Sequence, residues 1–551
     1  MTNPSLPNMT SRPRIIIVGG VAGGASAAAR ARRLSEDAEI ILIERGPDVS
    51  FANCGLPYHI GGEIPDRSQL AVQTPAGLRA ILNIEVRTRT EATAIDPERK
   101  TLRIRQLDDD TEDTLSFDSL ILAPGASPIR PPLPGIEDPR IMTLRNLQDM
   151  DRIKEAAARS RTIAIIGAGF IGLEMAEQLS APGKMVHLIE LQPQVLPQLD
   201  PEMARPLAIE LRNRGIDLHL ADGITSFSSG EDAVSACLAS GTTVEASLIV
   251  LCIGVQPENS LAKAAGLALG ARGHVVVDQW QQTSVPGIYA VGDACETADP
   301  ILCKRSAIPL GGPANRQGRT AADHIFRGDK ALPYPGSLGT AIVRVFDLAA
   351  GVVGWTGKRL EAEGVSFQSV VVNAPDHAAY YPGHSPVDLK LLWSPEDGRI
   401  LGAQAVGRAG IDKRLDIIAT ALRGRLTIDD LCHLELAYAP PFGSAKDVVN
   451  FAGFAACNIR DGLLHPIPSL DDAFGQIIDV RPPFMVEKQP FPGIPNIPFS
   501  QLRKRLDELD REQPVFTICQ MGKTSYQAAR VLANRGFDAR SILGGANHLL
   551  D

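Results

Sequence analysis

A glycine-rich turn set between a buried strand and a helix occurs twice in this chain, and that repeat constrains the fold more than any other feature. The first copy runs from Arg14-Ile15-Ile16-Ile17-Val18 into Gly19-Gly20-Val21-Ala22-Gly23-Gly24, continues as an alanine-rich helix to Leu34, and returns as a strand, Ile40 to Ile43, that ends at Glu44. The second runs from Thr162 to Ile166 into Gly167-Ala168-Gly169-Phe170-Ile171-Gly172, then a helix from Leu173 to Leu179 and a strand from Val186 to Ile189 that ends at Glu190. Each is a βαβ unit suited to a dinucleotide. The small residues let the backbone approach a pyrophosphate, the helix N-terminus faces its charge, and the terminal carboxylate can accept hydrogen bonds from a ribose. Val21 stands at the second glycine position of the first copy, which taken alone could be a structural turn only. The complete second copy removes most of that ambiguity.

Two such units imply two nucleotides with different roles, a tightly held flavin (FAD) and an exchanging nicotinamide. Between them lies Ala123-Pro124-Gly125-Ala126, and after the second comes Gly287-Ile288-Tyr289-Ala290-Val291-Gly292-Asp293-Ala294, which reads as a return to the first domain, with Asp293 placed to hold the ribityl or phosphate region. The flavin domain is therefore expected to be discontinuous, 13–160 and 287–333, with a nicotinamide domain inserted at 161–286. Glu190 should bond a free ribose hydroxyl pair and repel a 2′-phosphate, favouring NADH and leaving NADPH possible. From Tyr334 the pattern changes. Ile342 to Phe346, Val370 to Val372, Leu389 to Trp393 and Ile400 to Val406 read as strands of a mixed sheet, followed by helices from Ile411 to about Cys457, a third domain over 334–460. A polar stretch, 461–472, reads as a linker. Strands at Gln476 to Arg481 and Val515 to Cys519, with a helix through Leu532, make a small α/β module over 473–551. The fold class is α/β, with two Rossmann-like domains, an α+β interface domain and this last module.

At 551 residues the chain has room for three to four cores. Its 64 acidic residues outnumber 55 basic ones, which makes nucleic acid an unexpected partner, and any polyanionic ligand must find a local basic patch such as Arg30, Arg32 and Arg33. No apolar run approaches the roughly 20 residues of a membrane span. Residues 1–12 read as a frayed tail without a secretory signal, and the location expected is the cytoplasm. The eight cysteines show no C-x-x-C pair and no disulfide spacing, which suits a reducing compartment, and with the ten histidines they show no metal-ligand spacing. Cys295 and Cys303, and Cys432 and Cys457, are rejected as second thiol pairs. No motif or cation frames Cys432 or Cys457, and Cys295 reads as a small packing residue.

Two cysteines stand apart. Cys54 lies alone in Ser50-Phe51-Ala52-Asn53-Cys54-Gly55-Leu56-Pro57-Tyr58, a short way past the first glycine turn, and Cys519 opens Cys519-Gln520-Met521-Gly522-Lys523-Thr524-Ser525 ahead of a helix from Tyr526 to Arg535. Thiols react as thiolates, which a helix N-terminus or a cation favours, and they need a flavin or another sulfur to exchange electrons with. The loop after Cys519 offers successive backbone N–H groups and Lys523, a pocket for a thiolate, a persulfide or an anionic sulfur donor. A structural cysteine at a strand end is the alternative for Cys519.

These motifs, with Tyr380-Tyr381-Pro382-Gly383, with Tyr438-Ala439-Pro440-Pro441-Phe442-Gly443-Ser444-Ala445-Lys446-Asp447, and with Asp479-Val480-Arg481, resemble the single-cysteine branch of the pyridine nucleotide-disulfide oxidoreductases. The resemblance is greatest to coenzyme A-disulfide reductases fused to a C-terminal rhodanese domain, a group that includes CoA-persulfide and polysulfide reductases. It implies that Cys54 is the redox-active thiol, lined by Ser50, Phe51 and Asn53, and that Ser26, Arg30, Arg33 and Lys446 contact coenzyme A, with Asn315 and Arg316 near the substrate channel. Arginines on the first turns of an exposed helix also suit phosphates by their own chemistry, although a solvated helix face is the plainer reading. Gly19, Gly20, Ala22, Gly23, Gly24, Glu44, Arg45, Gly125, Gly292, Asp293 and Ala294 are the expected flavin contacts, and Gly167, Gly169, Phe170, Ile171, Gly172, Glu190 and Gly254 the nicotinamide contacts.

The resemblance further implies that Tyr380 and Tyr438 stand near the reactive sulfur, where a phenol can donate to a developing thiolate, and that Tyr438 comes from the partner subunit of a homodimer. Two packed aromatics at a domain interface would be the alternative. Cys519 matches the rhodanese active loop, with Lys523 and Thr524 where an arginine is common. The expected activity is NADH-dependent reduction of CoA disulfide, CoA persulfide or polysulfide at Cys54, with sulfane sulfur relayed from Cys519. Two rivals remain open, an NADH oxidase or peroxidase cycling a Cys54 sulfenic acid, and a flavoprotein whose rhodanese-like module only binds or senses.

Overall fold

The computed structural model describes residues 12–467 and 470–546. Residues 1–11, nearly all of the expected tail, lie outside them. Among the described residues no helix is long and apolar enough to cross a membrane.

The chain forms two compact units. The first runs through Gly167 and resumes over Gln178–His187 and Ile224–Gly339. Its centre is a five-stranded parallel sheet in the order 288–290, 119–122, 14–18, 39–43, 85–87. Ile15, Ile16 and Ile17 are fully buried, because a parallel strand covered on both faces is apolar throughout. One face takes the helix Ala22–Leu34 and the helix Gly311–Arg327. They approach closely enough that a side chain at Gly318 would lie 2.2 Å from the carbonyl oxygen of Gly23. The other face is covered by the antiparallel strands 90–96, 101–106 and 112–116 together with Ala262, Leu267, Val275 and Val277. The stretch after Ala262 thus packs on the first sheet, because its apolar residues complete that core. The same unit holds the strand Thr162–Ile166, paired in parallel with 248–251, which in turn pairs with 141–143.

The second unit comprises Ala168–Glu177, Leu188–Gly223 and the chain from Thr340 onward. Its larger sheet has the order 341–345, 348–354, 400–407, 386–393, 368–375, and every pair is antiparallel. That corrects the expected mixed sheet. The first pair is joined by only Phe346 and Asp347, and a two-residue link cannot return a strand in the same direction. Helices Ile411–Gly424, Ile428–Cys432 and Val448–Arg460 follow. The C-terminal sheet is wholly parallel, in the order 466–467, 539–542, 515–518, 476–479. Its edge strand Pro466–Ile467 lies inside the stretch read as a linker. Across the joint the Asn458 amide donates to the Tyr526 hydroxyl (2.9 Å) and Arg530 to the Leu463 carbonyl (2.8 Å), so the module is held by directed bonds as well as by chain connection.

Candidate functional site

The two glycine turns are built alike. At each, the glycine that follows the strand has a positive φ, +97° at Gly19 and +100° at Gly167, and a side chain there would fall 2.0 Å from the Ala123 carbonyl oxygen or 2.5 Å from that of Cys252. Each carboxylate at the end of the following strand also ties its own turn. Glu44 accepts from the N–H of Gly20 and of Gly46, both at 2.8 Å, and Glu190 accepts from Ala168 N (2.7 Å) and Gln192 N (2.8 Å). Both acids keep lone pairs for a ribose. Helix Phe170–Leu179 begins at Phe170, so Gly169 precedes it and Ile171 and Gly172 lie in its first turn.

Gly23 and Gly24 belong to the helix that opens at Ala22, and a side chain at Gly24 would lie 1.8 Å from Gly19 O. Gly292–Ala294 forms a 3-10 turn whose Gly292 N–H donates to Gln317 (2.7 Å). Burial alone holds the Asp293 carboxyl above its usual range. A buried carboxyl of that kind beside an open backbone cradle is what a polyol hydroxyl would satisfy, so these residues fit FAD. Gly125 accepts from Glu258 N and Gly254 from Ile129 N, both at 3.0 Å, at the two ends of the paired strands 126–128 and 255–257. Arg45 pairs with Glu258 (3.6 Å) and Glu91 (3.9 Å).

Cys54 is exposed on a 3-10 turn, Asn53–Gly55, just ahead of the short helix Leu56–Gly61. Its loop is fastened to the nucleotide turn. Ser50, in the left-handed region at φ 48°, donates from its N–H to Gly20 O (2.8 Å), while Phe51 bridges Ala71 and Ala52 N donates to Leu70 O (2.9 Å). The Ser26 hydroxyl donates to Asn315 (2.8 Å), joining two residues expected to serve the same ligand. Arg33 and Arg316 are exposed. Arg30 is turned onto Asp323, its Nε 2.8 Å from Oδ1, with Arg319 and Arg327 at 3.7 and 3.9 Å from the same carboxylate. Arg32 does not belong to the basic patch. It is buried, and donates to the carbonyls of Ser35 and Glu36 just past its own helix and to those of Leu82 and Asn83, where it caps the end of the helix Pro75–Leu82.

In the second unit the Tyr380 and Tyr438 hydroxyls are 3.0 Å apart and both rings are exposed. The hydrogen bond shared with Tyr438, in which the Tyr380 O–H can donate, raises the Tyr380 phenol above its ordinary value and keeps it protonated. Cys519 is buried at the end of its strand, its sulfur 3.5 Å from the Ser525 hydroxyl, and the helix behind it spans Lys523–Ala533, beginning earlier than expected. Gly522 at φ +85° turns the loop. Arg481, fully buried against Asp479 in a bidentate pair, reaches Gln520 (3.2 Å) and supports the loop from below. Lys446 and Lys523 lie over the ring of one residue, Phe451, at 5.8 and 5.9 Å.

A model described as pyridine nucleotide-disulphide oxidoreductase matches residues 13–318, the dimerisation domain of those oxidoreductases matches 340–448, and a rhodanese-like domain matches 468–549. The chain belongs to the pyridine nucleotide-disulphide oxidoreductase family. Like that family it is a flavin- and pyridine nucleotide-dependent oxidoreductase, and it carries a dimerisation domain and a rhodanese domain. Among solved structures it is similar to reduced Bacillus anthracis CoADR-RHD (44% identity, 98% of each chain, TM-score 0.94) and to a NAD-dependent persulfide reductase from A. fulgidus (36% identity, 98% of this chain and 100% of that one, TM-score 0.92). It is 34% identical to the coenzyme A disulfide reductase of Staphylococcus aureus strain JH9 over 446 residues, 81% of this chain and all of that one.

Two features of this oxidoreductase escaped the sequence reading. Arg414, buried on the helix Ile411–Gly424, donates to Asp447 (2.6 and 3.2 Å) and to the Asp376 carbonyl (2.6 Å), and so fastens together the segments that carry Tyr380 and Tyr438. A signal existed, since Arg414 falls on the buried stripe of Ile411, Leu415, Ile418 and Leu422. The rejection of Cys432 and Cys457 as a pair is also corrected. Their sulfurs are 3.6 Å apart because two helices cross there, and a cation does stand nearby, Arg460 on Asp429, which lies 3.6 Å from the Cys457 sulfur. Cys295 is buried as expected, its thiol pushed up by that burial.

Proposed function

We propose that this oxidoreductase is an NADH-dependent reductase of CoA persulfide and CoA disulfide, acting as a cytoplasmic homodimer, with Cys54 as the attacking thiol and Cys519 as a sulfane sulfur carrier. One observation carries the reading: the loop that presents Cys54 is hydrogen-bonded to the first nucleotide turn through Ser50 and Gly20. A thiol held there stands beside the flavin site and remains open to a substrate.

The Cys54 thiolate attacks the sulfur–sulfur bond of CoA–S–SH, forming a mixed disulfide with coenzyme A and expelling hydrosulfide, or attacks CoA disulfide and expels CoA thiolate. Tyr438, which the resemblance brings from the partner subunit to the reactive sulfur, is bonded to Tyr380, and the two act as a linked pair of phenols, one O–H donating to the other and leaving a second to meet the departing thiolate. When bound, FAD supplies the two-electron relay between nicotinamide and sulfur. Gly19 to Gly24, Glu44 and Asp293 would hold it, and Gly167 to Gly172 with Glu190 the nicotinamide nucleotide. Ser26, Asn315, Arg33 and Lys446 are the proposed coenzyme A contacts, with Arg30 available once it leaves Asp323. The balance is CoA–S–SH + NADH + H⁺ giving CoA–SH + H₂S + NAD⁺.

The test is anaerobic NADH oxidation with CoA persulfide, CoA disulfide, polysulfide and peroxide, by wild type and by Cys54→Ser and Cys519→Ser. The expected result is fastest turnover with a persulfide or disulfide, lost in Cys54→Ser, with polysulfide use also falling in Cys519→Ser. Peroxide as the fastest substrate would make the protein a peroxidase. Unchanged sulfur reduction by Cys519→Ser would leave the rhodanese domain a binding module.

A further inference from the structure

The helix Ile428–Cys432 ends on one thiol, and the helix Val448–Arg460 carries another near its end. Their sulfurs are in van der Waals contact at 3.6 Å. A disulfide needs about 2.05 Å, together with backbones close enough that side-chain rotation alone can close the gap. The crossing meets the second need. At Gly453, one turn before Cys457, a side chain would lie 2.9 Å from the Cys432 backbone nitrogen and 2.9 Å from Leu431 Cβ, so the two helices touch backbone to backbone at this level. Both cysteines are half-buried, and the reaction proposed at Cys54 uses neither.

We propose that Cys432 and Cys457 form a second redox site, a dithiol that small-molecule disulfides oxidise to an intramolecular bridge, closing the segment 433–447, with Tyr438 and Lys446, into a covalent ring. One thiolate attacks R–S–S–R, releases RS⁻ and leaves a mixed disulfide on the protein. The second thiolate then displaces the other RS⁻. Two protein thiols are oxidised, one small disulfide is reduced to two thiols, and the two protons pass to the released thiolates. The oxidant belongs to the chemical class this enzyme meets as substrate, but the step needs no flavin and stands whether or not Cys54 acts as proposed.

The surroundings say how such a bridge would behave. Burial, with the neighbouring thiol and Asp429 adding to it, pushes Cys457 up to about 12, and burial also raises Cys432. Thiols of high pKa are slow to attack and poor leaving groups, so the bridge should form slowly and resist reduction once made. It would therefore record prolonged disulfide excess and ignore single turnovers. Its mechanical effect falls on the segment between His433 and Asp447, which has no helix or strand and is tied in its middle by Tyr380 on Tyr438 (3.0 Å), Ala378 N on Pro440 O (3.3 Å) and Lys413 on Phe442 O (3.3 Å).

The experiment uses flavin-loaded full-length protein, reduced, freed of reductant, and incubated with excess glutathione disulfide, as wild type, Cys54→Ser and Cys457→Ser. Peptide mass spectrometry is expected to find a Cys432–Cys457 bridge in wild type and in Cys54→Ser. Amides of 433–447 are expected to exchange at least about threefold more slowly in the bridged protein, with no change in Cys457→Ser. Two alkylatable thiols at 432 and 457 after prolonged oxidation would overturn the proposal. So would a bridge that leaves exchange in 433–447 unchanged, or equal slowing in Cys457→Ser.

Discussion

Replacing Arg414 with methionine would strip one guanidinium from two loops at once. The side chain is 2% exposed, as is that of its partner Asp447, and it donates to both carboxylate oxygens, to the Asp376 carbonyl and to the Gly410 carbonyl. Methionine fills similar space and leaves the Asp447 charge buried with its helix-cap bonds from Val449 N and Asn450 N but without a counter-charge. Removing one partner of a buried ion pair costs about 3–5 kcal/mol, because the other charge stays uncompensated. The loss should be local, since Arg414 bonds to the start of the Tyr380 segment and the end of the Tyr438 segment. At about 1.4 kcal/mol per tenfold, amides in 376–385 and 433–447 should exchange at least about 150-fold faster, while those of the parallel sheet around Ile15 to Ile17 stay as they were. Adding Asp447→Asn neutralises the stranded charge and should recover about tenfold or more of the lost protection. Exchange that rises less than about threefold in Arg414→Met would refute the claim that this pair organises the tyrosine loops.

Three further outcomes follow from other contacts. The His377 ring bonds Asp376 (2.7 Å), which raises its pKa above 6.5, so this pair supports the 376–385 loop fully below about pH 6.5 and less as pH climbs through the raised value. Corrected for intrinsic rates, the loop should exchange faster at about pH 9 than at about pH 6, and His377→Gln should abolish the difference. Glu190→Gln keeps the shape that meets Ala168 N while removing the charge that repels a 2′-phosphate. The ratio of kcat/KM for NADPH over NADH should rise about tenfold, and an unchanged ratio in steady-state assays would show that another residue sets the preference. Asp323→Asn releases Arg30 and leaves Arg319 and Arg327 without their counter-charge, so KM for CoA disulfide should fall about threefold with kcat unchanged, and a rise in KM would mean that Asp323 positions the arginine for its ligand.

How much of this could be read from the sequence depended on whether the signal was periodic or spatial. The two glycine turns and their closing acids were legible because each is a contiguous unit whose backbone needs are local. Cys54 and Cys519 stand out by their glycine-containing loops and Tyr380 and Tyr438 only through resemblance, and the structure brings the two tyrosine hydroxyls to 3.0 Å, which no spacing could show. The antiparallel sense of the 341–407 sheet was hidden because apolar alternation is the same in either direction. Arg32 differs from its neighbours because its partners are carbonyls just past its own helix and at the end of the helix Pro75–Leu82, some fifty residues on, which no list of arginines shows.

Cys432 and Cys457 show where spacing rules stop applying. Rules for thiol pairs describe cysteines brought together by a short loop, and these two are 25 residues apart on different helices. What brings them together is Gly453, the small residue that lets the helices touch, so the informative pattern is a glycine one turn from a cysteine on a helix that must pack against another. Near its end the same helix carries Asn458, whose amide holds Tyr526 behind the Cys519 loop, and it begins beside Lys446, which shares the Phe451 ring with Lys523 of that loop. This helix therefore carries one thiol of the pair and the dock of the rhodanese domain, and it starts two residues after a proposed coenzyme A contact. A change in how tightly its neighbouring segment is held is felt first by the loop bearing Tyr438, whose phenol the proposed chemistry needs in place.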